Sequence, residues 1–342
     1  MAQPIQRGAV DLCRLQRLSL VQHRDGVHTT GLHGPFTVAP HPGTVPRYKQ
    51  AVCAVAAAVA GVWMTAACSS SSVPAVAIAG TPSASGGSSS ARPDPAPVAA
   101  GVTVSRVRTA DGSVVTVAVF HGPVQFVLHN GGRDPGPRYS GLLHAGPVIT
   151  GAERRRLLAA FNGGFLLSSH SGGYEQEGHV IRGLRTGLGT VVIDRSGHAR
   201  VGVWGAGLPV PGEAVYSARQ NLGPLLIGGR PAANVAWWHQ WGGTLAHAEY
   251  VARSALGQDS AGDLLYAASM STIPADLASA LARHGARSAM ELDINPAWVQ
   301  FDTARSPGGP LTATVPGQVR PASQYLTGWT RDFIAVVIPA TK

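Results

Sequence analysis

Cysteine is missing from most of this chain: all three, Cys13, Cys53 and Cys68, lie at or before residue 68. Everything downstream is therefore without disulfides, thiolate metal ligands or a cysteine nucleophile, and its stability has to come from core burial. Lysine is almost absent, with Lys49 and Lys342 the only two, and charged residues make up 13% of the chain. The net charge of +9 overstates the basicity of the body, because six basic and two acidic residues fall in the first 50 positions; the leader carries +4 and the remainder +5. No run of Arg and Lys interleaved with aromatics occurs, so nucleic acid is not an expected partner. The 43 glycines follow no fixed period, which excludes a repeat array. Histidines are present, but none pairs at i, i+4 around a Glu and none is joined by cysteines, so no metal and no cofactor is expected.

What is present divides the chain into four parts. Residues 1–44 have no periodic apolar pattern and read as a disordered or wrongly assigned leader. Arg47 and Lys49 then precede an apolar run, Ala51 to Ala67, that ends in Thr65-Ala66-Ala67-Cys68. A basic stretch, an apolar stretch and small residues before the break make an export signal over 45–68. Its depth in the chain points to Val45 as the initiator. The cysteine at its end resembles the lipidated first residue of a bacterial lipoprotein, so Cys68 is the expected lipidation site and the membrane an expected partner. Residues 69–100 are rich in Ser, Pro, Ala and Gly, cannot bury a core, and read as a flexible tether. Residues 101–342 are long enough for one sizeable domain outside the cytoplasmic membrane.

Within that domain Val102 to Phe120 alternates and turns at Asp111-Gly112, a hairpin signal. Gly189 to Gly205 is a second hairpin, turning through Arg195-Ser196-Gly197. Short strands are expected at 157–161 and in AVYSARQ, GPLLIGG, YVARSALG and FIAVVIP. Asp263 to Ser269, a helix over 274–285 and Ala289 to Asn295 form a strand–helix–strand unit, the helix capped by Thr272 or Ser271, carrying Leu277, Ala280, Leu281 and His284 on one stripe, and stopped by Gly285. The expected fold class is α+β: a mixed, largely antiparallel sheet core with a few short helices in a single domain.

Two stretches carry chemistry. In AMELDINPAWVQF, residues 289–301, alternation puts Met290, Leu292 and Ile294 on one face and Glu291, Asp293 and Asn295 on the other. Carboxylates side by side resist burial and push one pKa upward, which suits a site at a strand's carboxyl end better than a solvated edge. In Phe161-Asn162-Gly163-Gly164-Phe165, consecutive glycines let the backbone approach a ligand and aim its amides at an anion, although such a turn is often only a tight turn. Trp237, Trp238 and Trp241 could stack on a sugar or simply pack beneath a loop.

The order of four motifs resembles the phosphodiester glycosidase family: Asn162 to Phe165, the segment Gly178 to Gly183 with its following hairpin, Arg253-Ser254-Ala255-Leu256-Gly257, and the helix leading to the acidic strand. The resemblance covers most of 101–342. AMELDINP, ARQNLGPLLIGG and the late Arg331-Asp332-Phe333 are similar to an actinobacterial branch. One departure is plain. The family closes its acidic strand with Leu-Asp-Gly-Gly-Gly-Ser, whereas this chain has Leu292-Asp293-Ile294-Asn295-Pro296. The resemblance implies a glycan or glycosyl-phosphodiester substrate, with Asp293 as the key carboxylate and Glu291 second. It implies Arg253 as the phosphate clamp, a role compatible with an ion pair to Glu291 or Asp293. Asn162, Gly163 and Gly164 would hold the phosphate or sugar hydroxyls, with Asn295 and His179 as further contacts. The implied activity is an exported hydrolase of a sugar-1-phosphodiester bond. The alternative is a non-catalytic glycan-binding lipoprotein that kept the fold.

A protein beginning near Ala100 is expected to be soluble and monomeric or weakly associated. Its thermal unfolding, followed by circular dichroism, is expected to give the same Tm with and without dithiothreitol.

Overall fold

The computed structural model describes residues 96–99, 101–139 and 141–340. The segments read as leader, as export signal ending at Cys68 and, apart from 96–99, as tether lie outside the described residues. Three sheets of eight, six and five strands make up the described part, with every pairing antiparallel except the short Gly207–Leu208 strand on Ala199–Trp204. Sheet dominates, and only three α-helices occur among the described residues: Gly151–Arg156, Pro274–Arg283 and Gln324–Thr327. The architecture is thus sheet-rich, with a single helix long enough to cover a sheet face.

The eight-stranded sheet runs in the spatial order Ala96–Ala99, Val102–Arg108, Val114–Phe120, Leu264–Thr272, Val251–Gln258, Ser288–Ile294, Pro224–Ile227, Arg230–Pro231. The expected hairpin turns at Gly112, whose φ of +91° glycine adopts without penalty. The expected strand–helix–strand unit is present, but its two strands do not touch. Val251–Gln258 lies between them, antiparallel to both. Helix Pro274–Arg283 crosses one face of this sheet, burying Leu277, Ala278, Ala280 and Leu281 against Val115, Val117, Ala255, Leu265 and Ala289. Its N-cap is Ile273 rather than Thr272 or Ser271, and no side chain caps it. Pro274 in the first turn removes one of the amides that would need a cap. Gly285 ends it at φ +93°.

The opposite face of that sheet meets the other two. Phe120, Tyr266, Leu256 and Met290 pack with Phe161, Phe301 and Ile334 of the five-stranded sheet and with Tyr174, Val191 and Val201 of the six-stranded one. The rings of Phe161, Tyr266 and Phe301 form its centre, with Tyr266 4.9 Å from each of the two phenylalanines. Each such ring removed from water contributes roughly 1.5–3 kcal/mol. This shared core puts the strand Leu157–Asn162 of one sheet beside Val251–Gln258 and Ser288–Ile294 of another, so that their ends meet. Ser288–Ile294 is buried along both faces, so Glu291 and Asp293 do not form a solvated edge.

Asp302, on the strand Phe301–Ala304, is fully buried, and no cation pairs with it among the described residues. Gln300 Nε2 and Gln318 Nε2 donate to its carboxyl oxygens at 2.6 and 2.7 Å. Burial pushes this carboxyl from 3.8 up to about 7 against the two donors. Between those values the folded chain holds a proton that the unfolded chain has released, so this group's contribution to stability is full below 3.8 and declines as pH rises to about 7. Asp302→Asn is expected to make the fall in stability across that window shallower, measured as urea-unfolding free energy against pH. With the Gln300 amide turned over, the new Nδ2 can reach Oε1 of Gln300, which has no partner.

Candidate functional site

The strand Leu157–Asn162 runs into the turn Asn162-Gly163-Gly164-Phe165, and all of these residues are buried. The glycines are required by proximity. A Cβ on Gly163 would overlap the carboxylate of Asp332, and one on Gly164 would stand 2.9 Å from Cζ of Arg219. The Gly163 amide donates to the Asp332 carbonyl at 2.9 Å and the Gly164 amide to Asp332 Oδ2 at 3.2 Å. Arg219 Nε donates to the same carboxyl oxygen at 2.8 Å, with both side chains essentially sealed from solvent. One amide of the turn, that of Gly164, is aimed at an anion, and that anion is an internal carboxylate.

Asn162 is equally occupied. Its Nδ2 donates to Ser254 Oγ at 2.8 Å and to the Gly163 carbonyl at 2.9 Å. Its Oδ1 accepts from Tyr266 Oη at 2.8 Å and from the Gln300 amide at 3.2 Å. With two donors and two acceptor sites used, an asparagine side chain has nothing left for a ligand. Ser254 Oγ continues the chain: it accepts from the Asp293 amide and donates to the Asp293 carbonyl, each at 3.2 Å. Asn162 thus acts on the main chain of Asp293.

The acidic strand contains an irregularity that the sequence pattern hides. Ala255 pairs with Glu291 but Arg253 pairs with Ile294, so two residues of one strand span three of the other. Such a bulge breaks strict alternation and sends neighbouring side chains to different surroundings. Glu291 Oε1 accepts from Arg253 Nη1 at 2.7 Å, and neither side chain has any exposure. Arg253 Nη1 also donates to the Trp241 carbonyl at 3.0 Å. Asp293 instead meets Arg331, whose Nη2 donates to its Oδ2 at 2.6 Å, while Oδ1 accepts from the Ile294 amide at 2.8 Å. Burial raises both carboxyls well above the ordinary range, Asp293 against the pull of Arg331 and the Ile294 amide, Glu291 against that of Arg253.

Asp293 and Arg331 sit in the wall of a cavity of about 190 Å³, which is also lined by Phe165, Leu166, Ser169, Gly243, Ile294, Asn295 and Trp298. The Arg331 guanidinium lies 4.7 Å from the centre of the Trp298 ring, and its Nη2 also bonds the Gly164 carbonyl at 2.9 Å. Asn295 holds the rim: its Oδ1 accepts from the Leu245 amide at 3.0 Å and its Nδ2 donates to the Gly243 carbonyl at 3.3 Å.

Of the residues expected at a site, Asp293 and Asn295 line this cleft. Arg253, Glu291, Asn162, Gly163 and Gly164 do not; they lie behind it, in its support. His179 stands half-buried on the edge strand His179–Arg182 and does not line the cleft. Trp241 is buried and Trp237 exposed, and neither lines it. Two residues were missed. Trp298 sits in the same stretch as Asp293, three positions past Asn295, and Arg331 opens the Arg-Asp-Phe triplet. The signals were present, but nothing in the sequence says which arginine would face Asp293. No group of three or more His, Cys, Asp or Glu gathers in metal-binding geometry among the described residues.

No family model and no curated protein matches this sequence. Among solved structures, the chain is similar to the catalytic domain of zebrafish N-acetylglucosamine-1-phosphodiester alpha-N-acetylglucosaminidase, auto-inhibited by its pro-peptide: 16% identity, a TM-score of 0.46, and coverage of 70% of this chain and 82% of that one. It is also similar to a hypothetical protein from Synechocystis, at 13% identity and a TM-score of 0.41, covering 70% of this chain and 62% of that one.

Arg219→Met is expected to leave the Asp332 carboxylate buried without its cation. The expected cost is about 3–5 kcal/mol of stability, read from the midpoint of urea unfolding.

Proposed function

We propose that this chain is an exported hydrolase that cleaves a glycosyl phosphodiester bond in the Asp293–Arg331 cleft. The observation that carries this reading is the pairing, in one cavity wall, of a carboxyl, a guanidinium and an indole. A sugar joined through its anomeric carbon to a phosphodiester needs a cation for the phosphate, a carboxylate near the anomeric carbon and a flat apolar surface for the ring. The motif order that resembles the phosphodiester glycosidases supports the same substrate class.

In this reading the phosphate clamp is Arg331, in place of Arg253. Substrate phosphate draws the guanidinium away from Asp293, whose carboxylate becomes the base for an attacking water. The water oxygen bonds to the anomeric carbon as the bond from that carbon to the phosphate oxygen breaks. The phosphate monoester leaves with the electron pair, and Asp293 takes the proton. A phosphate leaves readily, so little general-acid help is needed. Arg253 and Glu291 keep the acidic strand in register, and the bonds of Asn162 to Ser254 fix the main chain at Asp293. The export signal, Cys68 and the tether would hold this cleft outside the cytoplasmic membrane.

Asp293→Asn is expected to lower kcat for sugar release from a glycosyl phosphodiester by roughly 10²–10⁴-fold. Arg331→Met is expected mainly to raise KM, and Arg253→Met mainly to lower stability. The deprotonated Asp293 is the active form, so kcat/KM rises with pH, and its acid limb is expected above the ordinary 3.8 of an aspartate. Binding of such substrates without any turnover would favour the glycan-binding alternative instead.

A further inference from the structure

One loop borders two pockets. Leu166 and Ser169 face the cleft described above, and the next residues, His170 and Gly172, face a second cavity of about 210 Å³ lined also by Arg182, Gly183 and Arg185. No carboxylate lines this second cavity, and neither Arg182 nor Arg185 has a carboxylate partner among the described residues. The contacts of both guanidinium groups run to His170: Arg182 Nη1 to its ring Nδ1 at 3.1 Å, and Arg185 Nη2 to its carbonyl. Two guanidinium cations held on one histidine repel each other and are stabilised by an anion that reaches both.

The arrangement is fixed from below. Gln220, fully buried, accepts from the amides of Gly173 at 3.0 Å and Arg185 at 2.8 Å, and its Nε2 donates to the Arg185 carbonyl at 3.0 Å. A Cβ at Gly173 would stand 2.8 Å from Cα of Leu184, so the glycine is what lets the two loops close on each other. His170 holds φ +57° with its amide bonded to Leu167, which ties its position to the turn that borders the cleft. The guanidinium groups are therefore presented on clamped backbone, the condition under which a planar fork loses least on binding an oxyanion.

We propose that this second pocket binds a phosphate group of the glycan whose glycosyl phosphodiester is cut in the cleft. Resting on the hydrolase reading, the inference narrows the substrate to a chain carrying repeated phosphates, with one phosphate at Arg331 and another at Arg182 and Arg185.

Titration calorimetry with inorganic phosphate at low salt tests the pocket without catalysis. In Arg331→Met, which removes the guanidinium of the cleft, phosphate binding is expected to persist and to weaken with ionic strength. Adding Arg182→Gln and Arg185→Gln is expected to weaken it at least tenfold. The same pair of substitutions in the wild-type chain, whose cleft packing is untouched, is expected to remove one binding event and leave the Tm unchanged. Phosphate affinity indifferent to the two arginines overturns the proposal. The link to substrate is read in KM. The double substitution is expected to raise KM at least tenfold for a diester whose aglycone bears a second phosphate, and to leave KM unchanged for one with a neutral aglycone. Equal effects on the two substrates overturn that link. Absence of turnover in the wild type would sink the hydrolase reading alone, with the phosphate titration still deciding the pocket.

Discussion

The arrangement around the cleft depends on one buried ion pair, Arg219 with Asp332, set inside the turn that begins at Asn162. Removing both charges from water is costly, and the cost is offset only when the remaining donors and acceptors are matched. Here they are: the Asp332 carboxylate takes Arg219 Nε and the Gly164 amide, and Arg219 Nη1 donates to the Gln220 carbonyl at 2.6 Å. Arg219 comes from the six-stranded sheet, Asp332 precedes the final strand of the five-stranded sheet, and the turn follows its middle strand. One pair of charges therefore fastens two sheets to one loop. It also explains why two glycines stand in succession there, since any side chain would occupy the volume of the pair.

The same pair positions the cleft. Arg331 and Asp332 are adjacent in sequence, yet their side chains part: Asp332 goes to Arg219 and the Gly164 amide, Arg331 to Asp293 and Trp298. With Asp332 committed to the turn, Arg331 is directed out to Trp298 and Asp293. The strand opposite supplies the complementary displacement, because its bulge separates Asp293 from Glu291. Without the extra residue both carboxylates would face Arg253, and two acids would share one cation. With it each acid has its own guanidinium, one sealed in the support and one at the cleft wall. Functional polarity at the cleft is thus a consequence of how charges are distributed behind it.

Much of the fold was legible in the sequence, because strands, hairpin turns and the amphipathic helix are written in local periodicity and turn residues. The strand read at 157–161 falls within Leu157–Asn162, and the segments read as strands at 214–220, 250–257 and 263–269 overlap Ser217–Gln220, Val251–Gln258 and Leu264–Thr272. What local pattern cannot carry is register across strands far apart in the chain. Alternation placed Glu291 and Asp293 on one face; the bulge, set by pairing with residues about 40 positions earlier, gave them different partners. The same limit applied to ligand roles. Only the Gly164 amide of the turn reaches an anion, the carboxylate of Asp332, and a sequence does not say whether such an anion is substrate or an internal side chain. Arg253 and Arg331 carry the same chemistry, and only the fold decides which is buried behind the strand and which lines the cleft.

The departure from the glycine-rich closing turn of the phosphodiester glycosidases, which the sequence resembles, has a physical reading in these terms. Asn295 stands two positions after Asp293, where the family motif has its second glycine, and it adopts φ +72°. Glycine occupies that left-handed region freely, and asparagine is among the few other residues that do so readily. The backbone path after the aspartate can therefore survive the substitution. What changes is the rim. A glycine has no side chain there, whereas the Asn295 amide bonds both the Leu245 nitrogen and the Gly243 carbonyl and ties that loop to the cleft wall. Pro296 restricts the residue before it and the chain after it. The replacement exchanges an open, pliable edge for one held by a side chain, which narrows what can enter beside Asp293 and leaves the carboxyl and its guanidinium in place. In terms of the proposed hydrolysis, such an exchange bears on selectivity for substrate shape more than on the chemistry at the anomeric carbon.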